Sequence, residues 1–90
     1  MKYQFTYFYS DYAQHHCIGI NIPEQMGINI QVILQQVFKF KDHGCEVMVG
    51  NYTSNYEREF NFIISSYEKD RLIMAEKIFQ DVVKQKYGEQ

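Results

Sequence analysis

No run in this 90-residue chain stays apolar for the ~18 residues that a helix needs to cross a membrane. The first ten residues, MKYQFTYFYS, hold one lysine and then alternate, so the unbroken apolar stretch of a secretory leader is missing too. Charge of one sign is scarce: nine Lys and Arg stand against 11 Asp and Glu, a net charge of −2. That leaves no basic footprint for nucleic acid and no acidic block that could mimic it. The five glycines are scattered, with no Gly-x-Gly or Gly-Lys-Ser/Thr pattern to cradle a phosphate. Cysteine is limited to Cys17 and Cys45. Without an export signal, two thiols point to a reducing compartment, and the expected localisation is cytoplasmic. Repeats, low-complexity tracts and linkers are lacking as well, which leaves residues 1–90 as one expected domain.

What the chain has in quantity is apolar and aromatic surface. Apolar residues make up 46% of it, and eight tyrosines and seven phenylalanines supply large rings. That excludes a disordered chain. A domain of this length buries roughly 60–65% of the surface it exposes when unfolded, enough for one modest core.

The pattern along the chain predicts the elements. Residues 2–10 alternate, with Tyr3, Phe5, Tyr7 and Tyr9 on one side and Lys2, Gln4, Thr6 and Phe8 on the other, as in a strand. CIGINI alternates again, with Ile18, Ile20 and Ile22 together and Cys17, Gly19 and Asn21 opposite, until Pro23 ends the ladder. The period then changes. Ile30, Ile33, Leu34, Val37 and Phe38 sit three or four apart and predict one amphipathic helix over 28–41, with Asn29 as N-cap and Gly44 at its C-terminal stop. Residues 45–52 and 56–64 read as a hairpin, with Cys45, Val47 and Val49 sharing a face, as do Phe60, Phe62 and Ile64. Ser65 followed by Glu68 has the spacing of a capping box, and Leu72, Ala75, Phe79 and Val82 trace the buried stripe of a final helix. The order β-β-α-β-β-α predicts an α+β fold: a two-layer sandwich of a four-stranded, mostly antiparallel sheet with both helices on one face. Such a layout carries little functional weight by itself.

All the histidines and cysteines fall in two short stretches, His15-His16-Cys17 and His43-Gly44-Cys45. A helix running back over its strand brings both stretches to the same edge of the sheet. Zinc accepts such ligands in a tetrahedron, but strand parity opposes it. Cys17 points away from the side that Ile18 and Ile20 share, whereas Cys45 points with Val47 and Val49 towards the helices. Neither HHC nor HGC has the ligand spacing of a zinc knuckle. A Cys-His nucleophile needs a base and an oxyanion nest that no motif here supplies. Glu57 and Glu59 share one side of a strand, but paired carboxylates on an exposed face are usually solvated. No metal, cofactor or catalytic residue is therefore expected.

The side of the sheet away from the helices should carry Phe8, Met48 and Ile63 among polar and acidic residues. Apolar side chains rimmed by charge mark a contact surface. Tyr12, Tyr52 and Tyr56 lie in loops at the ends of the sheet, where a ring makes a good anchor. The expected function is a small non-catalytic domain of the regulatory or inhibitor type. It would bind a protein partner through Phe8, Met48, Ile63, Tyr12, Tyr52 and Tyr56, with a homodimer across the open face as one form. A nucleic-acid or nucleotide binder using the helix lysines is an alternative from another class, and a small zinc or Cys-His module around His16 and Cys45 is a third.

Overall fold

The computed structural model describes residues 4–23, 27–53 and 59–88. Along them run β1 (Phe5–Ser10), β2 (His15–Ile20), α1 (Ile30–Leu34), α2 (Val37–Lys41), β3 (Glu46–Thr53), β4 (Glu59–Ser66) and α3 (Lys69–Tyr87). The four strands form one antiparallel sheet in the order β1-β2-β4-β3. The chain is thus an α+β protein, as its periodicity predicts.

The most apolar strands take the centre. Cys17 to Ile20 of β2 and Phe62 to Ser66 of β4 are buried on successive residues, hence on both faces, while β1 and β3 alternate between half-buried and exposed. On one face Ile18, Ile20, Phe62 and Ile64 meet Ile33 and Phe40 from α1 and α2 and Leu72, Ala75, Phe79, Val82 and Val83 from α3. Rings lock this core: Phe62 lies between Phe40 and Phe79, at 6.4 and 5.4 Å, and Phe5 meets Phe79 edge-on at 5.8 Å. On the other face Cys17, Phe60 and Ile63 form a second, smaller cluster with Phe8 and Tyr52. The isoleucine-bearing side of β2 therefore faces the helices, and the Phe8, Met48 and Ile63 side faces away.

Three local expectations need correction. The helix over 28–41 is two short helices, because Gln35 and Gln36 form a turn in which Gln36 N–H bonds back three residues to Ile33 O (2.9 Å). Asn29 does cap α1, accepting from Gln31 N–H at 2.9 Å. Ser65 is a buried residue of β4 and not a cap. Its neighbour Ser66 accepts from Glu68 N–H (3.2 Å) and donates to Gly44 O (3.1 Å), while Glu68 pairs with Arg71. Phe60, placed by simple alternation with Phe62, lies on the opposite face. The pairing of β3 with β4 shifts by one residue between Val49 and Tyr52. Beside that shift the Asn61 side chain bonds both backbone groups of Ile22, each at 2.8 Å. The amide thus stands where a backbone partner would be.

Gly19 explains how Phe60 fits there. A Cβ on Gly19 would sit 2.7 Å from the Phe60 ring, so the absent side chain is the ring's seat. Gly44 has φ +75 after α2, and the Arg71 side chain occupies the space its Cβ would fill. Arg71 Nη1 also donates to His43 O at 3.2 Å, tying the α2–β3 turn to the start of α3.

Candidate functional site

The His-Cys stretches do arrive at one end of the sheet. Cys17 pairs with Ser65 across β2 and β4, and Ser65 pairs with Glu46, next to Cys45. The thiols then part. Cys17 belongs to the open-face cluster and Cys45 to the core under the helices, so the sheet itself separates them. Each donates its S–H to a backbone carbonyl two residues back, at 3.7 Å, and burial pushes both pKa values up. A thiol held protonated in this way is a poor nucleophile and a poor ligand. Among the described residues, no group of three or more His, Cys, Asp or Glu side chains could hold a metal.

Two of the histidines, His15 and His16, have a different use: they seat tyrosines. The His15 ring meets Tyr67 edge-on at 4.0 Å, with its Nδ1 3.3 Å from Ser65 Oγ. His16 meets Tyr9 edge-on at 5.0 Å, its cross-strand partner. Between these pairs, the turn from β1 to β2 presents Tyr12 wholly to solvent, with Ser10 Oγ accepting from Ala13 N–H and Gln14 at φ 56 closing the loop. Tyr9, Tyr12 and Tyr67 are all exposed at this end, Tyr9 and Tyr67 on opposite faces because their partners His16 and His15 are successive residues of β2.

The other nominated contact residues fare unequally. Phe8 is half-buried, its ring parallel to that of Phe60 at 5.6 Å. Ile63 is only 5% exposed, closed over by its own neighbours. Met48, its partner across β3 and β4, stays 39% exposed. Tyr52 leans on the open-face cluster, and Tyr56 lies outside the described residues.

Several further apolar residues are exposed. Tyr7 and Tyr9 lie on an edge strand, β1, and Ile73 and Met74 lie off the buried stripe of α3. The Tyr7 hydroxyl donates to the Glu76 carboxylate of α3, and burial, aided by that carboxylate, pushes its pKa up to about 12. A shallow cleft of about 180 Å³ opens by the register shift, lined by residues that include Asn21, Asn51, Tyr52, Thr53 and Glu59. It is small beside the ~300 Å³ or more of a drug-sized pocket, and among the described residues its lining has a carboxylate and no cation to attract phosphate.

Among the described residues, no helix is long and apolar enough to cross a membrane. In comparisons with known proteins, no family model, no curated protein and no solved structure matches the chain significantly.

Proposed function

We propose that this is a non-catalytic binding domain of the regulatory or inhibitor type that works in the cytoplasm through contact with another protein chain. One observation carries the reading: Tyr9, Tyr12 and Tyr67 stand exposed at one end of the sheet, two of them braced by histidine rings. Tyrosine buries a large area on binding at low cost in side-chain entropy, which makes it a common anchor. The bracing fixes the rings before a partner arrives and lowers the ordering cost further. Two free buried thiols on opposite faces suit a reducing compartment.

The test is retention of a partner from native lysate by the tagged protein, with the variant Tyr12→Ala/Tyr67→Ala alongside. Both residues are exposed, so the fold should survive, as a thermal melt will show. A partner held by the unaltered chain and reduced at least tenfold by the double variant supports the reading. Equal retention by both removes the aromatic end as the contact. A companion Met48→Glu variant asks the same of the open face. Glutamate at Ile63 would report on folding instead, since that side chain is buried.

A further inference from the structure

We infer that the partner is a second copy of this chain, joined edge to edge along β1 so that two four-stranded sheets become one of eight. This rests on the protein-contact reading and names its partner. The two edges of the sheet differ in how they are guarded. β3 begins with Glu46 and carries the register shift between Val49 and Tyr52, both of which discourage an added strand. β1 carries neither. Its sequence FTYFYS has no charge and no proline, and its pairing with β2 runs without a shift from Phe5 to Ser10. Over Tyr7 to Ser10 its backbone bonds only to β2 among the described residues, leaving the outward row open. Such a row is a template for another strand.

The strand also complements itself. In an antiparallel pairing about a twofold axis through Phe8, residues of β1 face residues of the same β1, with Tyr7 opposite Tyr9. Every cross-strand pair then joins uncharged side chains, most of them aromatic, which is the favourable case. The helix beside the edge has matching symmetry. Tyr7 is bonded to Glu76, so the flank of α3 that bears Glu76 overlooks β1. Ile73 and Lys69 lie three and seven residues before Glu76 and share that flank. Ile73 is 68% exposed, behind only Tyr12 and Tyr67 among the described large apolar residues. A twofold axis near Ile73 sets Lys69 of one copy opposite Glu76 of the other, twice over. The strip of Tyr7, Tyr9 and Ile73 is thereby covered, with a pair of opposite charges at each side.

Sedimentation velocity on the unaltered chain across a range from about 1 to 200 μM should show a monomer–dimer equilibrium. Tyr9→Lys charges the uncharged edge and sets a lysine against Tyr7 of the other copy, and it should weaken the dimer at least tenfold with the thermal melt little changed. Lys69→Glu should weaken it several-fold, because glutamate then faces glutamate. Adding Glu76→Lys restores opposite charges and should recover the dimer, a rescue that a purely structural role of either residue would not give. An unaltered chain that stays monomeric at 200 μM overturns the inference, as does a dimer indifferent to both Tyr9→Lys and Lys69→Glu. A monomer that nevertheless retains a different protein through Tyr12 and Tyr67 overturns this inference alone and leaves the contact reading standing.

Discussion

The two faces of the sheet are built from the same strands but keep water out by different means. The helix-side face is dry because α1, α2 and α3 cover it, with Phe62, Ile64 and Phe79 fully buried. Among the described residues the open face has no such layer, yet Phe60 and Ile63 are each only 5% exposed. Their cover is local: Phe60 sits on Gly19, lies parallel to Phe8 and is flanked by Tyr52. A sheet can thus seal part of a bare face by placing a ring over a glycine, at the cost of a thin cluster with solvent close behind it.

Phe62 and Phe60 put that difference to the test, being two residues apart on one strand and on opposite faces. Phe62→Ala should lower unfolding free energy by about 3–5 kcal/mol, because packed helices cannot collapse into the space left. Phe60→Ala should cost clearly less, at or below about 3 kcal/mol, since Tyr52 and Phe8 can move in and water can follow. Urea unfolding monitored by circular dichroism gives both numbers. Equal losses would mean that the open cluster is as rigidly packed as the main core.

Next in size is the hinge between the faces. Asn61 supplies the donor and acceptor that Ile22 lacks from the sheet, and Ile22 is only 3% exposed. Asn61→Ala strands those two backbone groups and should cost about 1–3 kcal/mol. If Asn61 also holds the strand in the twist that turns Phe60 outward, combining Asn61→Ala with Phe60→Ala should cost less than the sum of the two. Strict additivity in the same unfolding assay would show the hinge and the ring to be independent.

The features that were legible in the sequence are those set by a single element. Ile18, Ile20 and Ile22 declare the inner side of β2 because a strand's period of two needs no knowledge of its neighbours. The same parity alone separates Cys17 from Cys45. The break at Gln35 and Gln36 was hidden, since the apolar stripe from Ile30 to Phe38 runs through it unaltered and helix propensity there is ordinary. Phe60 was misplaced because the pairing of β3 with β4 shifts register beside it, which simple alternation cannot anticipate. Strand order was beyond reach for a related reason: which strands are central is fixed by pairing partners, and pairing leaves only a burial trace. For the candidate site, Tyr12 was visible as a turn residue. Tyr9 and Tyr67 were not, because their bracing by His16 and His15 arises from cross-strand register and from the bend after β4.

The smallest expected effect separates the faces by pH. On the helix side Tyr7 ties β1 to α3 through Glu76, and its pKa rises from 10.0 to about 12, by burial first and by the carboxylate second. A raised folded-state value means that the neutral hydroxyl is favoured by folding. Its contribution is complete below about pH 10 and fades as pH climbs from there through 12. Because Tyr7 is 44% exposed, solvent screens much of that contribution, and a shift of a few degrees in melting temperature at most is expected. The melting-temperature gap between the unaltered chain and Tyr7→Phe should therefore be widest near neutral pH and close on approaching pH 12. Its open-face neighbour provides the control: Phe8 has no proton to lose, so the gap between the unaltered chain and Phe8→Leu should stay constant over the same range. A Tyr7→Phe gap that also stays constant would show that the hydroxyl contributes nothing through Glu76, and that β1 is held against α3 by ring packing such as Phe5 on Phe79.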